Sequence, residues 1–173
     1  INVDQANPNY SSIDGVLFDK AKTTLIQCPL SITGNYVVPS SVDSIEMYGF
    51  CFCDRLISVN IPSSVASIGV YAFTSCSGMI NIDTNNPNYT SIDGVFFNKS
   101  ASKLIQCPTS TSGSYIIPST VDTLGDNSFY NCRLMTAVTM PSSIRYIADW
   151  SFYNCSGLTS ITVNSLPLSL SSM

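Results

Sequence analysis

A duplication constrains this chain more than any other feature of its sequence. The segment NPNYSSIDGVLFDKAKTTLIQCP, which starts at Asn7, returns 79 residues later as NPNYTSIDGVFFNKSASKLIQCP, which starts at Asn86. Each 79-residue period divides into one turn of 33 residues and two turns of 23, marked by P-S-S/T-V/I segments. Periods of about 20 to 50 residues indicate a solenoid, in which each repeat packs on its neighbours. The prolines of these segments are Pro39, Pro62, Pro118 and Pro141.

Short alternating stretches such as SVNI and AVTM precede the prolines and predict strands with one buried face. The stretches are too far apart for hairpins, so we expect a mainly β solenoid of seven coils with a parallel sheet of about seven strands. Irregular or short helical turns are expected near the AF and SF dipeptides. The residues expected to point inward are Val3, Tyr36, Val59, Ile82, Tyr115, Val138 and Ile161.

The 33-residue turns predict two further features. Their duplicated segment contains two strand-like runs, SIDGVFF and KLIQC in the second copy, separated by a polar turn around Asn98 and Lys99. It is therefore expected to form a protruding β-hairpin, repeated because the superhelix repeats. The Asp-Gly pairs at Asp14 and Asp93 are ordinary turn chemistry rather than catalytic carboxylates. Tyr36 and Tyr115, which follow these turns, are expected to fill the coil with a larger ring.

The outward residues of the strands form rows of mostly small polar side chains. One interpretation is a solvated sheet face kept small for packing, and the other is a broad protein-binding surface. The candidate partner-binding face consists of Asn2, Asp4, Asn35, Val37, Ser58, Asn60, Asn81, Asp83, Ser114, Ile116, Thr139, Ser160 and Thr162.

Composition narrows the classes of function. Charged residues make up 10% of the chain, the net charge is −4 and there is no histidine. This balance speaks against nucleic acid and anionic membranes as partners, and it removes the commonest general base. The sequence offers no catalytic, metal-binding or cofactor-binding set and no apolar run of membrane-spanning length. A carbohydrate-active β-solenoid enzyme would need paired carboxylates, and Asp4 and Asp83 are expected three coils apart.

Seven cysteines allow a packing, a disulfide or a metal interpretation. Cys53, Cys76, Cys132 and Cys155 occupy one equivalent position of the repeat, which favours a ladder of small, buried, unbridged side chains. Cys28 and Cys107, in the expected hairpins, are expected to react more readily with thiol reagents. Four Asn-X-Ser/Thr triplets would permit N-glycosylation in a secreted eukaryotic protein. They begin at Asn9, Asn88, Asn98 and Asn154.

The units LISVNIPSSVASIGVYAFTSC and MTAVTMPSSIRYIADWSFYNC resemble the BspA-like class of leucine-rich repeats. The NPNY and DGV segment is similar to the hairpin insert of that class. The resemblance implies a right-handed leucine-rich repeat superhelix with two β-hairpin inserts. It also implies a non-enzymatic adhesion module, on the cell surface or secreted, that binds extracellular-matrix, host-cell or microbial surface proteins. A structural spacer without a ligand is the other non-enzymatic alternative.

The chain is expected to be one domain, residues 1–173, cut from a longer repeat array. Neither end shows an obvious polar cap, and Leu166, Leu168 and Leu170 would place apolar side chains near the C-terminal opening. Open ends of a parallel sheet are templates for pairing with another chain. We therefore expect weak end-to-end self-association as the protein concentration rises.

Overall fold

The computed structural model describes residues 1–164, and in that range it contains strands and turns with no helix. The prediction of a mainly β solenoid is therefore confirmed, while the short helical turns expected near the AF and SF dipeptides are hydrogen-bonded turns. In chain order the strands are β1 (Tyr10–Ile13), β2 (Val16–Asp19), β3 (Thr24–Gln27), β4 (Gly34–Val37), β5 (Ser44–Ile45), β6 (Leu56–Ile61), β7 (Ser67–Ile68), β8 (Met79–Ile82), β9 (Tyr89–Ile92), β10 (Val95–Asn98), β11 (Lys103–Gln106), β12 (Gly113–Ile116), β13 (Thr123–Leu124), β14 (Met135–Met140), β15 (Tyr146–Ile147) and β16 (Ser160–Val163).

Each 79-residue period builds one half of the solenoid. In the first half, β1, β2 and β3 form an antiparallel meander, and β3 continues through parallel pairing into β5 and β7. We call this parallel ladder the far wall. Strands β4, β6 and β8 form the opposite, parallel sheet. The second half repeats the arrangement, with β11, β13 and β15 in the far wall and β12, β14 and β16 in the opposite sheet.

The expected single sheet of seven strands is replaced by two sheets of three. Residues 1–4 do not form a strand, and β8 does not pair with β12. The second insert separates them, because the Ile80 amide donates a hydrogen bond to the carbonyl of Gly94 at 2.9 Å. The outer edge of β8 is thereby hydrogen-bonded to the insert. A new parallel sheet begins at β12, after the insert.

The predicted hairpin forms, because β10 and β11 pair antiparallel across the turn around Asn98 and Lys99, but the insert differs from the expectation in two respects. The insert has three strands, since YTSI is a strand as well as VFFN and KLIQ, and its side chains enter the core. The turn at Asp93 and Gly94, with φ of 50° and 78°, joins the first two strands as a two-residue loop with both residues left-handed. In β10, Phe96 packs in the core of the first half, whereas Val95 and Phe97 pack in the core of the second.

The strand register differs from the expected one at β8. Val59 pairs with Ile80 rather than with Ile82, a slip of two residues from the 23-residue spacing. Gly78 allows the close approach that this requires, because a Cβ there would lie 3.0 Å from the Cβ of Leu56. Ile80 is consequently fully buried, and Ile82 is half-buried under the insert. In the second half, β14 and β16 keep the expected 23-residue register.

Tyr36 and Tyr115 point inward, as predicted. Their rings pack against Phe50 and Phe129, with centroid separations of 5.7 and 5.8 Å. Burial raises the pKa of both phenols.

Replacing Tyr115 with alanine is expected to lower the free energy of unfolding by about 2–3 kcal/mol, because it removes a large, half-buried ring from the core. Urea denaturation measures the change, with Ile116→Ala as the control because Ile116 points outward in the same strand. The control is expected to stay within about 0.5 kcal/mol of the wild type. An unchanged midpoint for Tyr115→Ala would contradict the inward assignment.

Leu166, Leu168 and Leu170 lie outside the described residues, so end-to-end self-association stays a prediction. At the end of the described far wall, Tyr146 and Ile147 of β15 are exposed.

Candidate functional site

The strand face comprises the outward side chains of β4, β6, β8, β12, β14 and β16. Parallel pairing aligns Val37 with Asn60 and Asn81, and it aligns Ile116 with Thr139 and Thr162. Val37 is 66% exposed and Ile116 is 72% exposed. Each half of the face therefore presents one branched aliphatic side chain beside two polar ones.

Hydrogen bonds between coils order the polar side chains of the first half. Ser58 Oγ donates to Asn35 Oδ1 at 3.0 Å, and Asn81 Nδ2 donates to Asn60 Oδ1 at 3.0 Å. The slip at β8 moves Asn81 out of the row predicted for it and beside Asn60, while Met79 takes the place beside Ser58. The amides are thus held in fixed positions on the face, which reduces the entropy that a partner would have to remove.

The structure does not place the whole predicted set on one sheet. Asn2 and Asp4 are exposed and precede β1. Asp4 Oδ1 accepts from the Ala6 amide, and its counterpart Asp83 accepts from the Asn85 amide, both at 2.8 Å. These carboxylates therefore stabilise turns. The other members lie on β4, β6, β8, β12, β14 and β16, with Ser58 largely buried among them.

The cysteines line the core. Cys53, Cys76 and Cys132 are buried as predicted, Cys155 is half-buried, and all seven thiols are free. Burial raises the pKa of Cys76 to about 12. The expectation that Cys28 and Cys107 react first is wrong, because both are 0% exposed. They follow the insert strands that join the far wall, so they lie in the core instead of at a hairpin tip.

Cys155 is expected to be alkylated at least about tenfold faster than Cys28 or Cys107, because only accessible thiols react without local opening. Burial raises the pKa of the Cys155 thiol, so its expected reactivity rests on access and not on an unusually acidic thiol. Timed iodoacetamide labelling of native protein, read by peptide mass spectrometry, measures the rates. Equal rates for the three thiols would show that the native core is open.

The NPNY motif has a structural role that the sequence pattern did not predict. In the second copy, Asn86 Nδ2 donates to the carbonyls of Pro62 and Val65, and Asn88 Nδ2 donates to that of Ala66. The Tyr89 hydroxyl accepts from the Ile68 amide at 3.1 Å. These side chains therefore form hydrogen bonds with the backbone groups along the edge of β7. The next strand of the far wall would otherwise pair there. The exact repetition of NPNY was the available signal.

The equivalent positions Asp19 and Asn98 also have structural partners. Asp19 accepts from the amides of Thr23 and Thr24, and its counterpart Asn98 accepts from that of Lys103. Burial alone would raise the pKa of Asp19, but these hydrogen bonds outweigh it and lower the pKa. An amide replaces the carboxylate in the second copy. The position therefore requires a hydrogen-bond acceptor that stabilises the turn, and it does not require a charge.

Among residues 1–164, no three His, Cys, Asp or Glu side chains are grouped as metal ligands would be. The same part of the chain contains no helix long and apolar enough to cross a membrane. Of the four residues that begin glycosylation triplets, Asn9, Asn88 and Asn154 are exposed and Asn98 is half-buried. Their glycosylation stays a prediction.

The far-wall turns carry two rows of residues with left-handed backbone. The first row is Tyr48, Tyr71, Asn127 and Trp150, and the second is Phe52, Ser75, Asn131 and Asn154, with φ between 56° and 63°. This conformation costs most L-residues roughly 1–2 kcal/mol, and asparagine tolerates it best among residues with a side chain. Sequence periodicity gave no sign of these rows, because they follow the turns rather than the strands.

Trp150 forms an exposed aromatic corner with Tyr130 and Tyr153. Its ring meets that of Tyr153 at 67° with centroids 4.8 Å apart, and Tyr153 stacks on Tyr130 at 5.1 Å. Trp150 is 62% exposed and Tyr153 is 47% exposed.

The repeat architecture corresponds to a known family. A family model described as BspA type leucine rich repeat region matches residues 26–116 and 106–172. The chain belongs to the BspA-type leucine-rich repeat family. The predicted resemblance is thereby confirmed over most of the sequence. No curated protein matches the chain.

Solved structures share the BspA-type fold of this chain. The pneumococcal vaccine antigen PcpA is 20% identical with a TM-score of 0.65, over 78% of this chain and 40% of that one. A leucine-rich cell surface protein from Faecalibacterium prausnitzii A2-165 is 26% identical with a TM-score of 0.55, over 92% of this chain and 41% of that one. This BspA-type chain spans about two fifths of the length of either protein.

Proposed function

We propose that this chain is a non-enzymatic protein-binding module of a bacterial surface or secreted protein, and that the strand face contacts the partner. The partner class is an extracellular-matrix, host-cell or microbial surface protein. The description of the Faecalibacterium prausnitzii relative as a cell surface protein supports this location.

The observation that carries the proposal is the exposure of Val37 and Ile116 at equivalent positions of the two halves. Rigid rows of side chains on the sheets of a solenoid form the extended surfaces that such proteins use for binding. A shallow depression of about 360 Å³ adjoins Val37 and is bordered by Asn60, Asn81 and Asp83. The two aliphatic residues lie one period apart. A ligand that contacts both must therefore be large, which favours a protein.

The proposal includes no catalytic activity. The carboxylates of Asp4, Asp19 and Asp83 accept hydrogen bonds from nearby turn amides, which is a structural role. The carbohydrate-active enzyme considered from the sequence gains no support from these positions.

Binding of the purified chain to immobilised fibronectin, laminin and collagen tests the proposal. We expect saturable binding to at least one of them and a loss of at least about tenfold in affinity for the Val37→Glu, Ile116→Glu double variant. Such a charge, when desolvated at an interface, costs several kcal/mol. Val70→Glu is the matched control, because Val70 is 64% exposed and lies outside the strand face.

Thermal unfolding of all variants checks that the fold is retained. An equal loss of affinity for Val70→Glu would contradict the assignment to the strand face. Absence of saturable binding to these proteins, to host cells and to bacterial surfaces would contradict the protein-binding function itself.

A further inference from the structure

We propose that the aromatic corner formed by Tyr130, Trp150 and Tyr153 is a second binding site, which takes a neutral oligosaccharide by stacking sugar rings on the exposed aromatic faces. The site lies on the far-wall turns and shares no residue with the strand face. It is therefore independent of the protein-binding function proposed above.

The backbone at Trp150 is the first reason. Trp150 has a φ of 59°, in a row where Asn127 has a φ of 56° and Tyr48 and Tyr71 have φ of 63° and 61°. Asparagine visits this left-handed conformation several times more often than bulky side chains do. A sequence shaped by stability alone would therefore favour asparagine or glycine at position 150. Strained residues of this kind cluster at functional sites.

The second reason is that the corner does not repeat. One period earlier, Cys51 stands at the position of Tyr130, Thr74 at that of Tyr153 and Tyr71 at that of Trp150. The solenoid needs the features that both periods share, such as the stacked phenylalanines of the core. The first half has a stacked pair in the same turns, Tyr48 and Tyr71 with centroids 5.6 Å apart, but it has no aromatic counterpart of Tyr130 and Tyr153. The three-ring corner is therefore not required by the repeat.

Geometry and charge favour a sugar as the ligand. The rings of Trp150 and Tyr153 meet at 67°, and both side chains are exposed, so aromatic surface of each is open to a ligand. The Asn154 amide lies beside them, within hydrogen-bond distance of Asn131 Oδ1 and of the Arg133 guanidinium. Aromatic faces accept the apolar C–H side of a pyranose, while amide and guanidinium groups bind its hydroxyls.

The ligand is assigned as neutral because the nearby charges have mixed signs. Asp126 and Asp149 lie on the adjoining turns, and Arg133 lies beside Asn154. A sulfated or sialylated glycan would require a basic patch.

Trp150 is the only tryptophan of the chain, so its fluorescence reports directly on the site. Chitohexaose, cellohexaose and a β-1,4-linked galactohexaose are titrated into the full chain. We expect a saturable change in emission with at least one of them, with a dissociation constant of about 1 mM or lower. Calorimetry on the same samples confirms that the optical change is binding.

Trp150→Asn separates a binding role from a packing role, because it restores the side chain that the backbone prefers. Calorimetry with the best probe is expected to show at least about a tenfold loss of affinity, with a melting temperature equal to or above that of the wild type. Tyr48→Asn is the matched control, since Tyr48 shares the row, has a φ of 63° and lies in the first half. It is expected to leave oligosaccharide binding unchanged.

Three results would overturn the proposal. These are the absence of a saturable signal with all three oligosaccharides, retention of affinity by Trp150→Asn, and a marked fall in its melting temperature, which would mean that Trp150 serves packing. Loss of matrix-protein binding by Trp150→Asn without any effect of oligosaccharides would assign the corner to a protein partner instead.

Discussion

Replacing Asn86 with alanine is expected to lower the free energy of unfolding by about 3–4 kcal/mol. Asn86 is 0% exposed, and its side chain makes four hydrogen bonds. Its Nδ2 donates to the carbonyls of Pro62 and Val65, and its Oδ1 accepts from the amides of Asn88 and Tyr89. Each such bond contributes on the order of 1 kcal/mol, and buried groups left without a partner cost more.

The duplicated motif supplies the control. Asn7 is the counterpart of Asn86, and its Oδ1 likewise accepts from the amides of Asn9 and Tyr10 at 2.9 Å. Within residues 1–164 its Nδ2 caps no preceding coil, so Asn7→Ala is expected to cost about 1–2 kcal/mol. Urea denaturation of both variants, compared at equal m-values, measures the difference. Equal losses would mean that the cap on the preceding coil contributes nothing to stability.

The second large effect is expected at Phe73, where alanine should cost about 3–5 kcal/mol by leaving a ring-sized cavity. The ring stacks on Phe50 with centroids 5.2 Å apart and meets the edge of Phe96 at 5.8 Å. Phe96 belongs to the second insert, so Phe73 joins the core of the first half to the segment that begins the second. The variant is therefore also expected to broaden the unfolding transition, because the halves become less tightly coupled.

Phe152 is the matched control for Phe73, one period later. Its ring stacks on Phe129 at 5.0 Å, but it is half-buried in the described structure. Phe152→Ala is expected to cost about 2–3 kcal/mol, less than Phe73→Ala, because a cavity at a partly exposed site fills with water. Differential scanning calorimetry gives both the midpoint and the width. A larger loss at Phe152 would contradict the role of Phe73 as the link between the halves.

These pairs show that equivalent positions in the two periods contribute differently to the free energy of unfolding. The copies of NPNY are identical, yet within residues 1–164 the side-chain bonds to the carbonyls of Pro62 and Val65 belong to the second copy. Similarly, Leu17 and Phe96 are counterparts, and the larger side chain is the one that meets a preceding phenylalanine. At NPNY the local sequence is thus equal while burial is unequal, and burial decides the contribution to stability.

Periodicity was sufficient to predict the two walls, the inward orientation of Tyr36 and Tyr115 and the burial of Cys53, Cys76 and Cys132. Repeats at a fixed spacing must present the same side chain to the same neighbour in every coil, so these features follow from counting. The candidate strand face was predicted on the same basis, and most of its members do lie on the two parallel sheets. The aromatic corner was not predicted, because it is the part of the far wall that departs from the repeat.

The sequence by itself determined the solenoid, its period and the inward orientation of most predicted strand residues, although Ile161 is 46% exposed. Tertiary structure alone decided the register at β8, because a slip of two residues keeps every side chain on its original face and leaves no trace in an alternating pattern. It also decided that the insert enters the core and divides the parallel sheet, since β8 bonds to Gly94 rather than to the next coil. Those choices depend on hydrogen bonds and close packing between segments distant in sequence, which a local pattern does not encode.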